Sequence, residues 1–171
     1  SGLEEATMTL TQALEYDGST RSPYACRIVA MHLLRECFEF NHSSPLQAGQ
    51  DEFERTMFWH KYSQLETSLD VAFATLPANL RCPENSYDTN AVKTNLQLHA
   101  STLCLYRAAT ARAYMENQPV PAIEAKAHPA ADQIVTIIAL ATDIDARFRN
   151  PFVAFAAFMA ASVFLQDYVK T

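Results

Sequence analysis

A chain of 171 residues, 49% of them hydrophobic, has the material for one domain that buries roughly two-thirds of its unfolded surface. Its formal net charge is -6 and its 13 lysines and arginines are scattered rather than gathered into a stripe, which argues against direct nucleic-acid binding by this segment. Only three glycines occur, Gly2, Gly18 and Gly49, so phosphate-cradling loops and nucleophile elbows, which need closely spaced glycines, are excluded.

Ser1-Gly2 reads as a vector-derived remnant, and no basic segment followed by an apolar run precedes the first element, so no signal peptide is expected. The eight prolines fall almost entirely between apolar periodic segments. That punctuation predicts an all-α, bundle-like single domain of about six helices over residues 1–171. The first helix, residues 3–16, is weakly amphipathic and ends at Asp17-Gly18-Ser19. The second opens at Ser22-Pro23, a cap residue followed by proline at the first helical position. Its Ile28, Met31, Leu34 and Phe38, spaced by three and four, define the expected buried face. After a polar loop over 41–50, Asp51-Glu-Phe-Glu54 resembles a capping box and starts a long helix to about residue 76. Phe58, Tyr62, Leu65, Leu69, Ala72 and Leu76 form its stripe.

Pro77 and Pro83 bracket a loop that reaches Thr89; a fourth helix follows over 92–115 with Leu96, Leu103 and Tyr106 inward. Pro119 and Pro121 mark a linker, and a fifth helix is expected over 129–147. It carries Ile134, Ile137, Ile138 and Ala141, with Asp132 near its positive N-terminal end and Arg147 and Arg149 at the other. The last helix starts at Asn150-Pro151 and is free of charge from Pro151 to Leu165. That run of 15 residues is short of the ~20 a membrane span needs. A helix apolar all round is instead expected to be buried on several sides at the centre of a bundle. Phe152, Phe155 and Met159 share one face, and Ala154, Ala157 and Ala161 another where a neighbouring backbone can approach closely.

Little catalytic chemistry is visible. Cys26, Cys37, Cys82 and Cys104 contain no Cys-x-x-Cys pair and read as buried thiols of a reducing compartment. Glu39-Phe-Asn-His42 has the Glu-x-x-His spacing of di-iron bundles, but those sites need the motif twice with two further carboxylates, so no metal is expected. His32 and Glu36 are spaced to pair across one turn, and His60 and His99 read as satisfied structural histidines. Asn41-His-Ser43 is a formal glycosylation sequon, against which the thiols argue.

Four stretches resemble, in order, the middle homology region of fungal zinc binuclear cluster transcription factors. They are Ser22-Pro-Tyr-Ala-Cys-Arg-Ile-Val-Ala-Met-His-Leu-Leu34; Phe58-Trp-His-Lys61 with Leu65, Leu69 and Leu76-Pro-Ala-Asn-Leu80; Asn95-Leu-Gln-Leu-His-Ala-Ser-Thr-Leu-Cys-Leu-Tyr-Arg-Ala-Ala109; and Asn150-Pro-Phe-Val-Ala-Phe-Ala-Ala-Phe-Met-Ala-Ala-Ser-Val-Phe164. Together they span residues 22–165, and they resemble the C-terminal part of that region. The resemblance implies the all-helical regulatory domain of a nuclear transcription factor. In that family a separate cluster of six cysteines holding two zinc ions contacts DNA; four scattered cysteines cannot form it, so this segment is expected to hold no cofactor and to touch no DNA.

The expected function is control of transcription through a shift in helical packing, biased by a small-molecule effector or a coregulator protein. Trp59, Tyr62, Phe155, Phe158 and Met159 are the expected lining of an effector pocket, because aromatics and methionine make adaptable apolar walls; core packing is the competing role for all five. A second reading is a protein-interaction or homodimerisation scaffold without a ligand site, its apolar patch on the first helix or the 119–129 linker. A third, a metal-dependent helical enzyme, is not favoured. None of these readings involves a membrane.

Overall fold

Ser22 caps the first described helix as its sequence predicts: the Ala25 N–H donates to Ser22 Oγ at 3.2 Å and the Cys26 N–H to the Ser22 carbonyl at 3.1 Å. The structure, a computed structural model, describes residues 22–43, 52–141 and 151–170. The predicted helix at 3–16, residues 44–51 with Asp51 of the capping box, and Arg147 and Arg149 lie outside them, whereas residues 41–43, predicted as the start of a loop, are the last of the first described helix. Among the described residues there are five α-helices, one short 3-10 turn and no strand. The helices are α1 (Pro23–Ser43), α2 (Glu52–Ala74), α3 (Thr89–Met115), α4 (Pro121–Leu140) and α5 (Pro151–Lys170), with the turn at Ala78–Leu80.

α3 is the centre. It packs against each of the other four helices, while α1 packs on α2 and α4 on α5. Two side-chain contacts close the ring around it: Lys126 of α4 reaches Glu66 of α2 at 2.6 Å, and Phe38 of α1 meets Phe155 of α5 with ring centroids 6.1 Å apart. This corrects the expectation that the charge-free last helix is central. α3 takes that place because small residues, Ala91, Ala100, Ser101, Ala108, Ala109 and Ala113, let neighbouring backbones approach on every side. Two of its buried polar side chains bond backbone carbonyls. Asn95 Nδ2 donates to the Leu80 and Ala91 carbonyls at 2.6 and 2.8 Å, which seats the Leu76–Leu80 corner on α3, and Ser101 Oγ donates to the Gln97 carbonyl at 2.7 Å. Thr94 Oγ1 is buried with no hydrogen-bond partner among the described residues.

The ends of α3 follow from its sequence. Asp88 Oδ1 accepts from the Asn90 and Ala91 N–H groups, and Asn117, at φ 54°, stops the helix in the left-handed region. The Gln118 N–H then reaches the Ala113 carbonyl at 2.9 Å, the six-to-one bond of a Schellman end.

The predicted stripe of α2 is buried from Phe58 to Leu76 without exception. On α1 the buried face is instead Cys26, Val29, Ala30, Leu33, Cys37 and Phe40; Ile28, Met31 and Phe38 are exposed and Leu34 is half-buried. Both faces of α1 are apolar, and the one with the smaller side chains sits against α3. α4 starts at Pro121 rather than Pro129, with Val120 as its cap, so Pro129 lies inside the helix and Asp132 is mid-helix, not at its positive end. An apolar series from Ile123 through Ala127, Ala130, Ala131 and Ile134 to Ile137 continues past Pro129, and its burial outweighs the missing backbone donor.

α5 departs furthest from expectation. Ala156, Met159 and Ala160 are buried, whereas Ala154, Ala157 and Ala161, the predicted close-approach face, are exposed. No helix among the described residues is long and apolar enough to cross a membrane.

Candidate functional site

The five residues expected to line one pocket occupy four places. Trp59 and Tyr62, stacked edge to face at 5.6 Å, lie where α2 meets α3. Phe155 packs between Phe38 and Phe152, and Phe158 is 62% exposed. Met159 alone among them lines a cavity of about 230 Å³ between α3, α4 and α5.

That cavity has an apolar floor of Leu103, Ala111, Ala127, Met159 and Val163. Its polar lining comes from Arg107, Thr110 and Tyr114 on α3, Glu124 and His128 on α4, and Ser162 and Gln166 on α5. Tyr114 Oη donates to Glu124 at 3.3 Å across the α3–α4 side. The volume is below the ~300–1,000 Å³ of drug-sized sites, so it suits a small ligand with an apolar body and a polar end. The α3 wall was partly legible, since Leu103 and Tyr106 were predicted inward and Thr110 and Tyr114 continue that face. The α4 wall is hidden in the sequence, because Glu124, Ala127 and His128 precede Pro129 in a stretch whose prolines mark a linker.

Tyr106 joins the cavity to a polar hub. Its ring lines the cavity while its hydroxyl donates to Glu66 Oε1 at 3.2 Å. The same oxygen accepts from Tyr62 Oη at 2.9 Å and Lys126 Nζ at 2.6 Å, and the Lys126 ammonium stands 5.9 Å from the Tyr106 ring centre. Burial alone raises the Glu66 carboxyl, but hydrogen bonds from Lys126, Tyr62 and Tyr106 outweigh it and hold it below the usual value. Burial, together with the Glu66 charge, pushes both tyrosine hydroxyls up, so they stay protonated donors. One carboxylate oxygen thus ties α2, α3 and α4.

A second hub pins the ends of α2 and α3. Trp59 Nε1 donates to Glu116 Oε2 at 3.0 Å, buried Arg112 donates to Glu116 Oε1, and Arg55 lies 3.7 Å from that same oxygen. The Arg112 guanidinium also sits over the Phe58 ring at 5.3 Å. Trp59 and Tyr62 thus both hold carboxylates, and neither belongs to the lining of the α3–α4–α5 cavity.

Other candidates turn to ordinary partners. Glu36 pairs with Lys61 at 3.1 Å rather than with His32. Glu39 pairs with Arg35 at 2.8 Å, and His42 Nδ1 meets the Phe38 carbonyl at 3.0 Å, so the Glu-x-x-His motif is not assembled toward a common point. No three His, Cys, Asp or Glu side chains converge as metal ligands among the described residues. All four cysteines are free; burial pushes Cys37 up to about 12 and Cys104 to about 11, which leaves them inert thiols. His60 meets Gln64 at 3.0 Å, and His99 packs on Phe73 at 4.9 Å. Comparison with known proteins returns no family model, no curated protein and no solved structure that matches the chain.

Proposed function

We propose that this chain is a regulatory module, of the kind the middle homology region supplies to fungal zinc cluster transcription factors, and that it reads a small effector in the α3–α4–α5 cavity. The observation that carries the reading is Tyr106, which faces the cavity and bonds the Glu66 hub at once. A ligand that moves the Tyr106 ring weakens or strengthens the tie between α2 and α4. Occupancy inside the module thereby becomes a change in packing at its surface, and the ligand shifts that equilibrium only by its differential fit to the two packings. The order of the four family-like segments supports placement in a nuclear transcription regulator that contacts DNA through a separate domain.

Thermal-shift measurements against small metabolites test the binding half. A ligand at a hundred times its dissociation constant stabilises the fold by about 2.7 kcal/mol, and Ala127→Phe, which fills the cavity, removes that response. No stabilisation by any metabolite at any concentration counts against an effector site. Fusing the chain to a heterologous DNA-binding domain beside a reporter gene tests the regulatory half; an effector-independent, unchanged reporter output rejects it.

A further inference from the structure

α5 is apolar on all sides yet is packed on only one. Ala154, Ala157, Phe158, Ala161, Leu165 and Tyr168 recur at intervals of three and four, so they form one stripe along the helix. Phe158 is 62%, Leu165 63% and Tyr168 82% exposed, and Phe164 on the flank of the stripe is 37% exposed. The cavity lies on a different side of the same helix, reached by Met159, Val163 and Gln166. Isolated exposed apolar residues are ordinary, but a continuous stripe over four turns marks an interaction surface.

We infer that this stripe docks on the same stripe of a second copy, with the two α5 helices antiparallel about a twofold axis at Ala161. Three features choose this occupant. In that register Ala154 opposes Tyr168 and Ala157 opposes Leu165, so small side chains meet large ones on both halves, while Phe158 and Phe164 pair ring to ring on the flanks; Ala161 on the axis lets the helices approach to about 8 Å. The stripe carries no charged residue, so two copies meet there without repulsion despite the net charge of -6, and neither desolvates an ion. The area also suffices. With ~150–250 Å² available per aromatic side chain, the exposed parts of the stripe supply roughly 600 Å² per copy, or about 1,200 Å² in all, the lower end of specific interfaces. An interface of that size fits a weak, reversible dimer. The pairing does not depend on an effector, since mass and cross-linking report it with or without ligand in the cavity.

Sedimentation equilibrium of the whole chain from low to high micromolar concentration is expected to show mass rising from one copy to two. Phe158→Glu and Leu165→Glu, both at exposed positions, hold the protein at one copy with helicity unchanged and with the melting temperature that the wild type shows when dilute enough to be monomeric. Cross-linking fixes the register in a Cys82→Ser background, which removes the one native thiol that is not buried. Ala161→Cys forms a covalent dimer on oxidation, Ala154→Cys alone does not, and Ala154→Cys with Tyr168→Cys does. Mass that stays at one copy at every concentration overturns the inference, whatever else then covers the stripe. A dimer that survives both glutamate variants overturns it too, and efficient cross-linking by Ala154→Cys alone replaces the antiparallel register with a parallel one and overturns the small-to-large match.

Discussion

His99 makes the fold sensitive to mild acid in a window where few other groups contribute. Burial against α2, with the Phe73 ring 4.9 Å away, lowers its imidazole from the ordinary 6.5 to about 4. Between those two values the unfolded chain binds a proton that the folded chain refuses. Stability is therefore fully present above the unfolded value and falls as pH drops from 6.5 toward 4. The linkage amounts to about 2 kcal/mol lost between pH 7 and pH 5, and about 3 kcal/mol by pH 4. Glu66 and Glu116 work in the same direction but lose most of their contribution below their ordinary value of 4.5, so among the described residues the interval from pH 7 to pH 5 reports mainly the imidazole. Urea unfolding followed by the single tryptophan, Trp59, reads the effect; with a slope of about 2 kcal/mol per molar, the midpoint falls by about 1 M. His99→Leu keeps an apolar group of similar size beside Phe73, and its midpoint should be equal at the two pH values. A wild-type midpoint that does not move, or a leucine variant that falls as far as the wild type, refutes the assignment.

Removing the charge at the second hub by Glu116→Gln leaves buried Arg112 without its counter-ion and costs about 3 kcal/mol in urea unfolding, with a change in Trp59 fluorescence because the indole loses its carboxylate. Thr94→Val replaces a hydroxyl that has no partner with a methyl of the same size, and should raise the denaturation midpoint by an amount worth about 1 kcal/mol. Pro129→Ala restores a backbone donor inside α4 at an exposed position; calorimetry should show stabilisation of roughly 1–3 kcal/mol, and destabilisation would mean that the proline shapes α4 in a way the packing needs.

The fold was legible where one period dominated. α2 has a single apolar stripe, and each of its predicted residues from Phe58 to Leu76 is buried. α1 and α5 are apolar on more than one face, and hydrophobicity cannot then choose the inner side. On α1 size decides, because Ala30, Cys26 and Cys37 face inward where α3 comes close; on α5 both faces carry alanines, Ala156 and Ala160 inward and Ala154, Ala157 and Ala161 outward, so size does not separate them. Pro129 misled because proline is a strong local breaker, while the apolar series that overrides it is visible only across two turns on either side. The cavity was the least legible feature. It is assembled from three helices and lined by residues of mixed polarity, so no one segment carries its signature.

The ring of four helices around α3 has a consequence for how the chain folds. Fifteen residues of α3 are buried, and they face all four neighbours, so no subset of the helices can hide them. A half-molecule such as α1–α3 or α3–α5 leaves one side of α3 open to water, and each half is poorer than the whole by most of that area. Cooperative assembly of the described helices is the expected result, with the amide protons in the middle of α3 the slowest to exchange with solvent.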